Sequence, residues 1–159
     1  MILATAILAS AAIKQFDATI ERMVALAVLM PIVASMGGKV GTQTMTVAVR
    51  ALATGELAAI NTARVVLRET ATGLINGLAF ALIMGIIAFI WFGSNQLGAV
   101  IGAAMIINLL AAALAGIFIP LGLKRLHFDP AVSSTVFVTT VTDVVGFFAF
   151  LGLASLWLM

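Results

Sequence analysis

Long apolar stretches separated by short polar breaks dominate this chain. Charged residues, glycine and proline mark the breaks, and they divide the chain into five stretches. About 20 apolar residues are needed for a helix to cross the hydrocarbon core of a bilayer. The pattern therefore predicts an all-α bundle of five transmembrane helices per protomer, in one domain covering residues 1–159. The stretches are Met1 to Ile13, Met23 to about Ala53, Glu69 to Phe92, Leu97 to about Leu121, and Ala131 to Leu158.

The first stretch is shorter than a full membrane crossing. As a helix it spans about 20 Å, whereas the hydrocarbon core is about 30 Å thick. We therefore expect a truncated first helix, as in a fragment of a longer protein. A signal peptide is the rival explanation, but it would begin with basic residues, which are missing here.

Composition supports the membrane class and removes several others. Apolar residues make up 64% of the chain and charged residues only 9%, which leaves too few polar residues to cover the surface of a soluble protein. The net charge is +2, but the basic residues are scattered along the chain, which argues against nucleic-acid binding. The chain has no Cys, and no His or second acid is positioned to act in catalysis. We therefore predict that it is not an enzyme.

The basic residues predict an orientation in the membrane. Arg50, Arg64 and Arg68 follow the second stretch, and Lys124 and Arg125 follow the fourth, so both groups lie on one side. The loop after the third stretch has no Lys or Arg. By the positive-inside tendency, this predicts a multi-pass protein of the cell membrane with a cytoplasmic N-terminus and an external C-terminus.

Asp143 lies near the middle of the fifth stretch, which has no other charge. An ionisable group at that depth is unfavourable unless it faces protein, water or a cation, so it is a functional hypothesis by default. The helix that carries it has a clear start, because Asp129 can cap it and Pro130 suits its first turn. We predict that one arc of this helix lines a pore, and its other members are Thr135, Thr139, Thr142 and Gly146.

A single carboxylate with hydroxyl neighbours suits a strongly hydrated divalent cation. Mg²⁺ is commonly held by one or two carboxylates and keeps several of its waters. Because one Asp per chain is too little to hold the ion centrally, the simplest arrangement is a homodimer with Asp143 of both subunits facing the pore. We predict that Asp143 is the metal ligand and that Mg²⁺ is bound and transported, with Mn²⁺, Co²⁺ or Ca²⁺ as alternatives.

A glycine-rich run interrupts the second stretch after Pro31. Gly37, Gly38 and Gly41 favour a kink, a tight helix contact or an unwound turn that supports the pore, and plain close packing is the alternative. Gln43 adds hydrogen-bonding capacity beside them. Lys39 is the only basic candidate inside a span, and a Lys39–Asp143 ion pair would instead indicate a structural or proton-coupled membrane module.

Several motifs along the chain occur together, namely Pro31, Gly37-Gly38, Gly41, Gln43, Arg50 to Ala53, Gly55-Glu56, Arg68-Glu69, Gly73, Gly77, Asn108, Pro120, Asp129 to Ala131, Thr140, Asp143 and Gly146. In this order they resemble the MgtE magnesium channel family. The resemblance implies five helices per protomer, a homodimer in the lipid bilayer, and a pore lined by the second and fifth helices. It also implies that Asp143 binds hydrated Mg²⁺, and that Thr139 and Thr135 line the same site.

Two departures from the family pattern stand out. Lys39 occupies a position where the family usually has Asn, and a fixed positive charge near a cation path would slow conduction. The family also carries a cytoplasmic N-domain and nucleotide-sensing regulatory repeats ahead of the membrane part, and we expect none in these residues. Among the remaining polar residues, we expect Asn76 and Asn108 to bond across helices, and Arg68 and Glu69 to form a local ion pair or anchor the interface.

Overall fold

The computed structural model describes residues 1–56 and 59–158. These residues form helices joined by short connections, and they contain no strand, so the all-α class is confirmed. The helices are α1 (Ile2–Lys14), α2 (Asp17–Arg22), α3 (Val24–Ala53), α4 (Ala59–Phe92), α5 (Asn95–Arg125) and α6 (Pro130–Trp157).

Four of these helices are long and apolar enough to cross a membrane, namely α3, α5, α6 and the part of α4 from Asn61 to Phe92. This supports the prediction of a multi-pass membrane protein. The predicted count of five spanning helices is not confirmed, because α1 is apolar but has only 13 residues. A helix of that length covers about two thirds of the hydrocarbon core.

The boundaries differ from the prediction at two places. α4 begins at Ala59, ten residues before the predicted start at Glu69, and the short helix α2 was not predicted. Both differences have the same cause, since hydropathy marks where a helix enters the hydrocarbon and not where the helix itself begins. The polar residues ahead of Glu69, including Arg64 and Arg68, are good helix formers that extend α4 into water.

Side-chain caps start α5 and α6. The predicted start of α6 is confirmed, because Asp129 Oδ1 accepts a hydrogen bond from the Ala131 amide at 2.9 Å and Pro130 is the first helical residue. At α5, Ser94 Oγ accepts from the Leu97 amide at 3.2 Å. Each cap satisfies a backbone donor that the helix itself cannot pair.

α5 is the central helix and packs against α3, α4 and α6. Glycines allow the close approach: a Cβ on Gly98 would lie 2.8 Å from the Gly85 carbonyl oxygen of α4, and one on Gly116 would lie 2.8 Å from the Gly41 carbonyl oxygen of α3. Because lipid is as apolar as the helix surfaces, helices in a membrane associate through such close packing.

α4 lies on the outside of the bundle. It packs against α5 and makes little contact with α3, which leaves a cleft between α3 and α4. Its outer surface exposes large apolar side chains suited to lipid, namely Leu74, Ile75, Leu78, Leu82, Ile83 and Ile86.

The basic ends of the helices lie together. Lys124 Nζ donates a hydrogen bond to the Leu52 carbonyl at 3.3 Å, which joins the C-terminal end of α5 to that of α3. Arg50 and Arg125 lie in the last turns of the same two helices. The loops that carry the basic residues are therefore at one end of the bundle, which we call the basic end.

The close contact between α4 and α5 can be tested with Gly98→Ala. The added methyl group would meet rigid backbone at Gly85, so we expect a loss of about 1–3 kcal/mol of stability. Gly122→Ala in the same helix is the matched control, because its Cβ would meet no described atom within 4 Å. Thermal unfolding in detergent measures both, and equal melting temperatures would contradict the close contact.

Candidate ion-binding site

α3 and α6 are antiparallel neighbours. Thr135, early in α6, places its Oγ1 3.7 Å from Met45 Sδ, late in α3. Thr142 lies two turns further along α6, and its Oγ1 is 4.0 Å from the Cβ position of Gly38, two turns earlier in α3. The two helices therefore run in opposite directions.

The glycine run of α3 forms tight helix contacts. A Cβ on Gly41 would lie 2.7 Å from Val138 Cγ1 of α6, which only a glycine allows. α3 is helical without interruption over Val24–Ala53. The helix break considered for Gly37, Gly38 and Gly41 is therefore not observed, because these glycines provide room for neighbouring helices and the backbone hydrogen-bond ladder continues through them.

Asn108 of α5 contacts both α3 and α6. It is fully buried, and its Nδ2 donates a hydrogen bond to the Val33 carbonyl of α3 at 2.8 Å. Its amide also fills the space over Gly37 of α3 and Gly146 of α6, where a Cβ would collide with it. The expectation that Asn108 bonds across helices is confirmed. Among the described residues, its Oδ1 has no hydrogen-bond partner.

Asp143 lies on a face of α6 that the protomer leaves open. It is half-buried, and it has neither a hydrogen bond nor an ion pair within residues 1–56 and 59–158. Thr139, one turn before it, is half-buried, and Thr135, two turns before it, is exposed. The Thr139 hydroxyl donates to the Thr135 carbonyl at 2.9 Å, so the oxygen lone pairs of Thr139 remain available as acceptors.

Thr142 and Gly146, which we expected on the same arc, face neighbouring helices instead. Thr142 is fully buried, and its methyl group lies 3.3 Å from the Cβ position of Gly41. Gly146 is buried against Asn108. Thr142 is on the edge of the arc nearest α3, and Gly146 lies a turn further along α6, where α5 covers the helix. The open part of the predicted pore lining is therefore confined to the first half of α6.

α3 presents a polar face beside it. Its exposed or half-buried polar residues recur at helical spacing, and they include the predicted Gln43. Because α3 and α6 are antiparallel neighbours, their helical wheels place this face and that of Asp143 on the same side of the pair. We call the two together the open polar face, which comprises Ser35, Lys39, Thr42, Gln43, Thr46, Thr135, Thr139 and Asp143.

Lys39 is exposed on the open polar face and does not pair with Asp143. No ion pair joins the two in the part of the chain that the structure describes. On the helical wheels, Lys39 leaves α3 away from α6, and Asp143 leaves α6 away from α3, so the two side chains diverge. The contact on which a Lys39–Asp143 module would depend is therefore not formed.

Three polar members of the open polar face were missed by the sequence analysis. Ser35, Thr42 and Thr46, together with Lys39, follow the spacing i, i+4, i+7, i+11, which places them on one helical face. The sequence contains this spacing, but the glycines between these residues also fitted a helix break, which would have interrupted the face.

The open polar face suits a hydrated cation better than a bare one. Among the described residues, no group of three or more His, Cys, Asp and Glu side chains is placed to hold a metal ion together. A dehydrated divalent cation needs about six oxygen ligands, far more than one carboxylate provides. The carboxylate and hydroxyl oxygens of this face in one protomer are therefore too few to replace the water shell of a divalent cation.

Comparisons with known proteins match both helices of the open polar face. The family model MgtE, described as a divalent cation transporter, matches residues 30–153. The chain is similar to proteins named magnesium transporter MgtE from Bacillus subtilis (30% identity over 98% of this chain), Enterococcus faecalis (35% over 92%) and Thermus thermophilus (33% over 99%). These matches cover 34%, 32% and 35% of the relatives, so the chain spans about a third of their length.

The role of Asn108 in holding α3 against α5 can be tested with Asn108→Ala. Loss of the buried hydrogen bond to Val33 is expected to lower the free energy of unfolding by about 1–3 kcal/mol. Asn76→Ala is the control, because Asn76 is half-buried and has no hydrogen bond among the described residues. Its effect should stay within about 0.5 kcal/mol. Unfolding in metal-free detergent compares the two, and an equal loss would contradict the role.

Proposed function

Because the chain belongs to the MgtE family of divalent cation transporters, we propose that it moves hydrated Mg²⁺ across the cell membrane through a pore at a homodimer interface. The family is one of transporters and not of enzymes. The three relatives are each named as magnesium transporters, which supports Mg²⁺ as the ion.

The open polar face is the observation that carries the proposal. Serine, threonine, glutamine, lysine and aspartate side chains within spanning helices are unfavourable against acyl chains, and a charged group is the most unfavourable. A face of this kind must be covered by water or by another protein surface. Two copies related by a twofold axis cover each other's faces and enclose a hydrated path between them.

Asp143 from both subunits binds the ion in this arrangement. Two carboxylates balance the charge of one Mg²⁺, and the ion keeps most of its tightly held waters. The hydroxyl oxygens of Thr139 and Thr135 accept hydrogen bonds from those waters. Without the ion the two carboxylates repel each other, so ion binding also stabilises the pairing of the subunits.

The proposal includes a topology. α1, which packs against α6, counts as the first of five membrane helices, followed by α3, α4, α5 and α6. The basic end, with Arg50, Lys124 and Arg125, faces the cytoplasm by the positive-inside tendency. This places the N-terminus inside and the C-terminus outside, and it places the Asp143 level about midway along α6.

Asp143→Asn is expected to reduce Mg²⁺ uptake into liposomes by at least about tenfold, because the amide removes the charge that attracts the ion. A tenfold change corresponds to about 1.4 kcal/mol. Asp129→Asn is the matched control: it removes the same charge at the α6 cap, where Asn caps as well as Asp, and uptake should be unchanged.

Heat stability separates lost binding from a lost fold. Mg²⁺ is expected to raise the melting temperature of the wild-type protein and of Asp129→Asn, since a ligand that binds only the folded state stabilises it. Asp143→Asn should unfold like the wild type without metal and gain less from Mg²⁺ than the wild type does, because the ion held by Asp143 is lost. Undiminished uptake in Asp143→Asn would reject Asp143 as the ion ligand.

Cross-linking tests the dimer interface, because the chain has no native Cys. Thr139→Cys places a thiol on the open polar face, and Leu82→Cys places one on the outer surface of α4. A short bismaleimide in native membranes is expected to give covalent dimers with Thr139→Cys and little with Leu82→Cys, as judged by gel mobility. Preferential cross-linking through Leu82→Cys would contradict the proposed interface.

A further inference from the structure

A second polar cleft lies between α3 and α4. Its volume is about 110 Å³, and it exists because α4 packs against α5 and makes little contact with α3. Most of its lining side chains are polar, which is unusual for a cleft between membrane helices. The polar residues are Gln43, Thr44, Glu69, Thr72 and Asn76.

Among the described residues that line this cleft, Glu69 is the one that carries a charge. It is half-buried, and its Oε2 lies 3.5 Å from Thr44 Oγ1, at the outer limit of a hydrogen bond. The ion pair expected with Arg68 is not formed, and Glu69 has no other ion pair among the described residues. Consecutive residues of a helix point about 100° apart, which separates the two side chains.

The cleft opens near the basic end of the bundle. α4 continues for 24 residues from Glu69 to Phe92. That length of helix spans about 36 Å, slightly more than the hydrocarbon core of about 30 Å. The Glu69 carboxylate therefore lies at the boundary between hydrocarbon and water, where a hydrated ion reaches it without crossing lipid.

We propose that this cleft is a second divalent-cation site, in which the Glu69 carboxylate holds hydrated Mg²⁺ or Mn²⁺. The oxygens of Gln43, Thr44 and Asn76 accept hydrogen bonds from the waters of the ion. The volume equals that of about four waters at about 30 Å³ each, so the ion enters with part of its hydration shell on the solvent side. Oxygen ligands without sulfur or imidazole select hard cations over zinc.

Gln43 connects this cleft to the open polar face, because it belongs to both. Glu69 therefore lies beside the proposed pore, near its cytoplasmic mouth, and its negative charge raises the local cation concentration there. The position relative to the pore rests on the proposed function. Binding at Glu69 does not, because it involves neither the dimer nor Asp143.

Mn²⁺ binding to the purified protein in detergent tests the site. The electron paramagnetic resonance signal of free aqueous Mn²⁺ measures how much metal remains unbound. Glu69→Gln is expected to abolish binding at one site per chain and to keep the ion held by Asp143. Asp143→Asn is expected to lose the ion held by Asp143 and to keep Mn²⁺ binding at Glu69. The double variant is expected to bind Mn²⁺ at neither site. Glu21→Gln, an exposed glutamate of α2, is the matched control and should bind Mn²⁺ like the wild type.

The outcomes separate the two sites. Unchanged Mn²⁺ binding in Glu69→Gln overturns this proposal whatever Asp143→Asn does, whereas unchanged binding in Asp143→Asn alone overturns only the Asp143 site. Glu69→Asp, which keeps the charge, is expected to retain part of the binding. Glu69→Gln that unfolds more easily but binds as much Mn²⁺ shows a structural Thr44–Glu69 contact and also overturns the proposal.

A further variant covers the case in which Glu69→Gln does not fold. Gln43→Ala combined with Asn76→Ala removes two water-contacting amides and leaves the carboxylate in place. In an Asp143→Asn background, this pair is expected to weaken Mn²⁺ binding at least about tenfold, which is about 1.4 kcal/mol. Unchanged affinity would overturn the proposed cleft site.

Discussion

The rest of the structure depends on the contact that Asn108 of α5 makes with α3 and α6. Its buried Nδ2 donates to the Val33 carbonyl, and its amide occupies the room left by Gly37 and Gly146. Because no hydrophobic effect holds helices together in lipid, close packing and buried hydrogen bonds must do so. This contact sets the register of α3 against α6, and therefore which of their side chains remain uncovered.

Packing divides the polar side chains of the bundle into two groups. Most threonine hydroxyls along α3 and α6 donate to a carbonyl of their own helix; Thr42 donates to the Gly38 carbonyl and Thr142 to the Thr139 carbonyl. The carboxylates of Asp143 and Glu69 are half-buried and have no ion pair among the described residues. A carboxylate in such surroundings needs water or a cation, and this requirement underlies both proposed sites.

The sequence predicted much of the fold, and it singled out the residue on which the proposed pore site rests. The four spanning helices, the Asp129 cap and the solitary Asp143 all follow from local patterns of hydropathy and helix-start chemistry. The early start of α4 was missed because its first turns are polar and helical at once. Thr142 and Gly146 were expected to line the pore, but the wheel of one helix does not show which edge a neighbour covers.

The sequence by itself determined the membrane class, the family resemblance and the one charge in the fifth stretch. Only the tertiary structure decided that Lys39 diverges from Asp143, that the glycines of α3 pack without breaking the helix, and that Glu69 faces a polar cleft. The physical reason is the sequence separation between the residues that interact. Hydropathy and caps act between residues within a turn or two, whereas burial depends on contacts such as that of Val33 with Asn108, far apart in the chain.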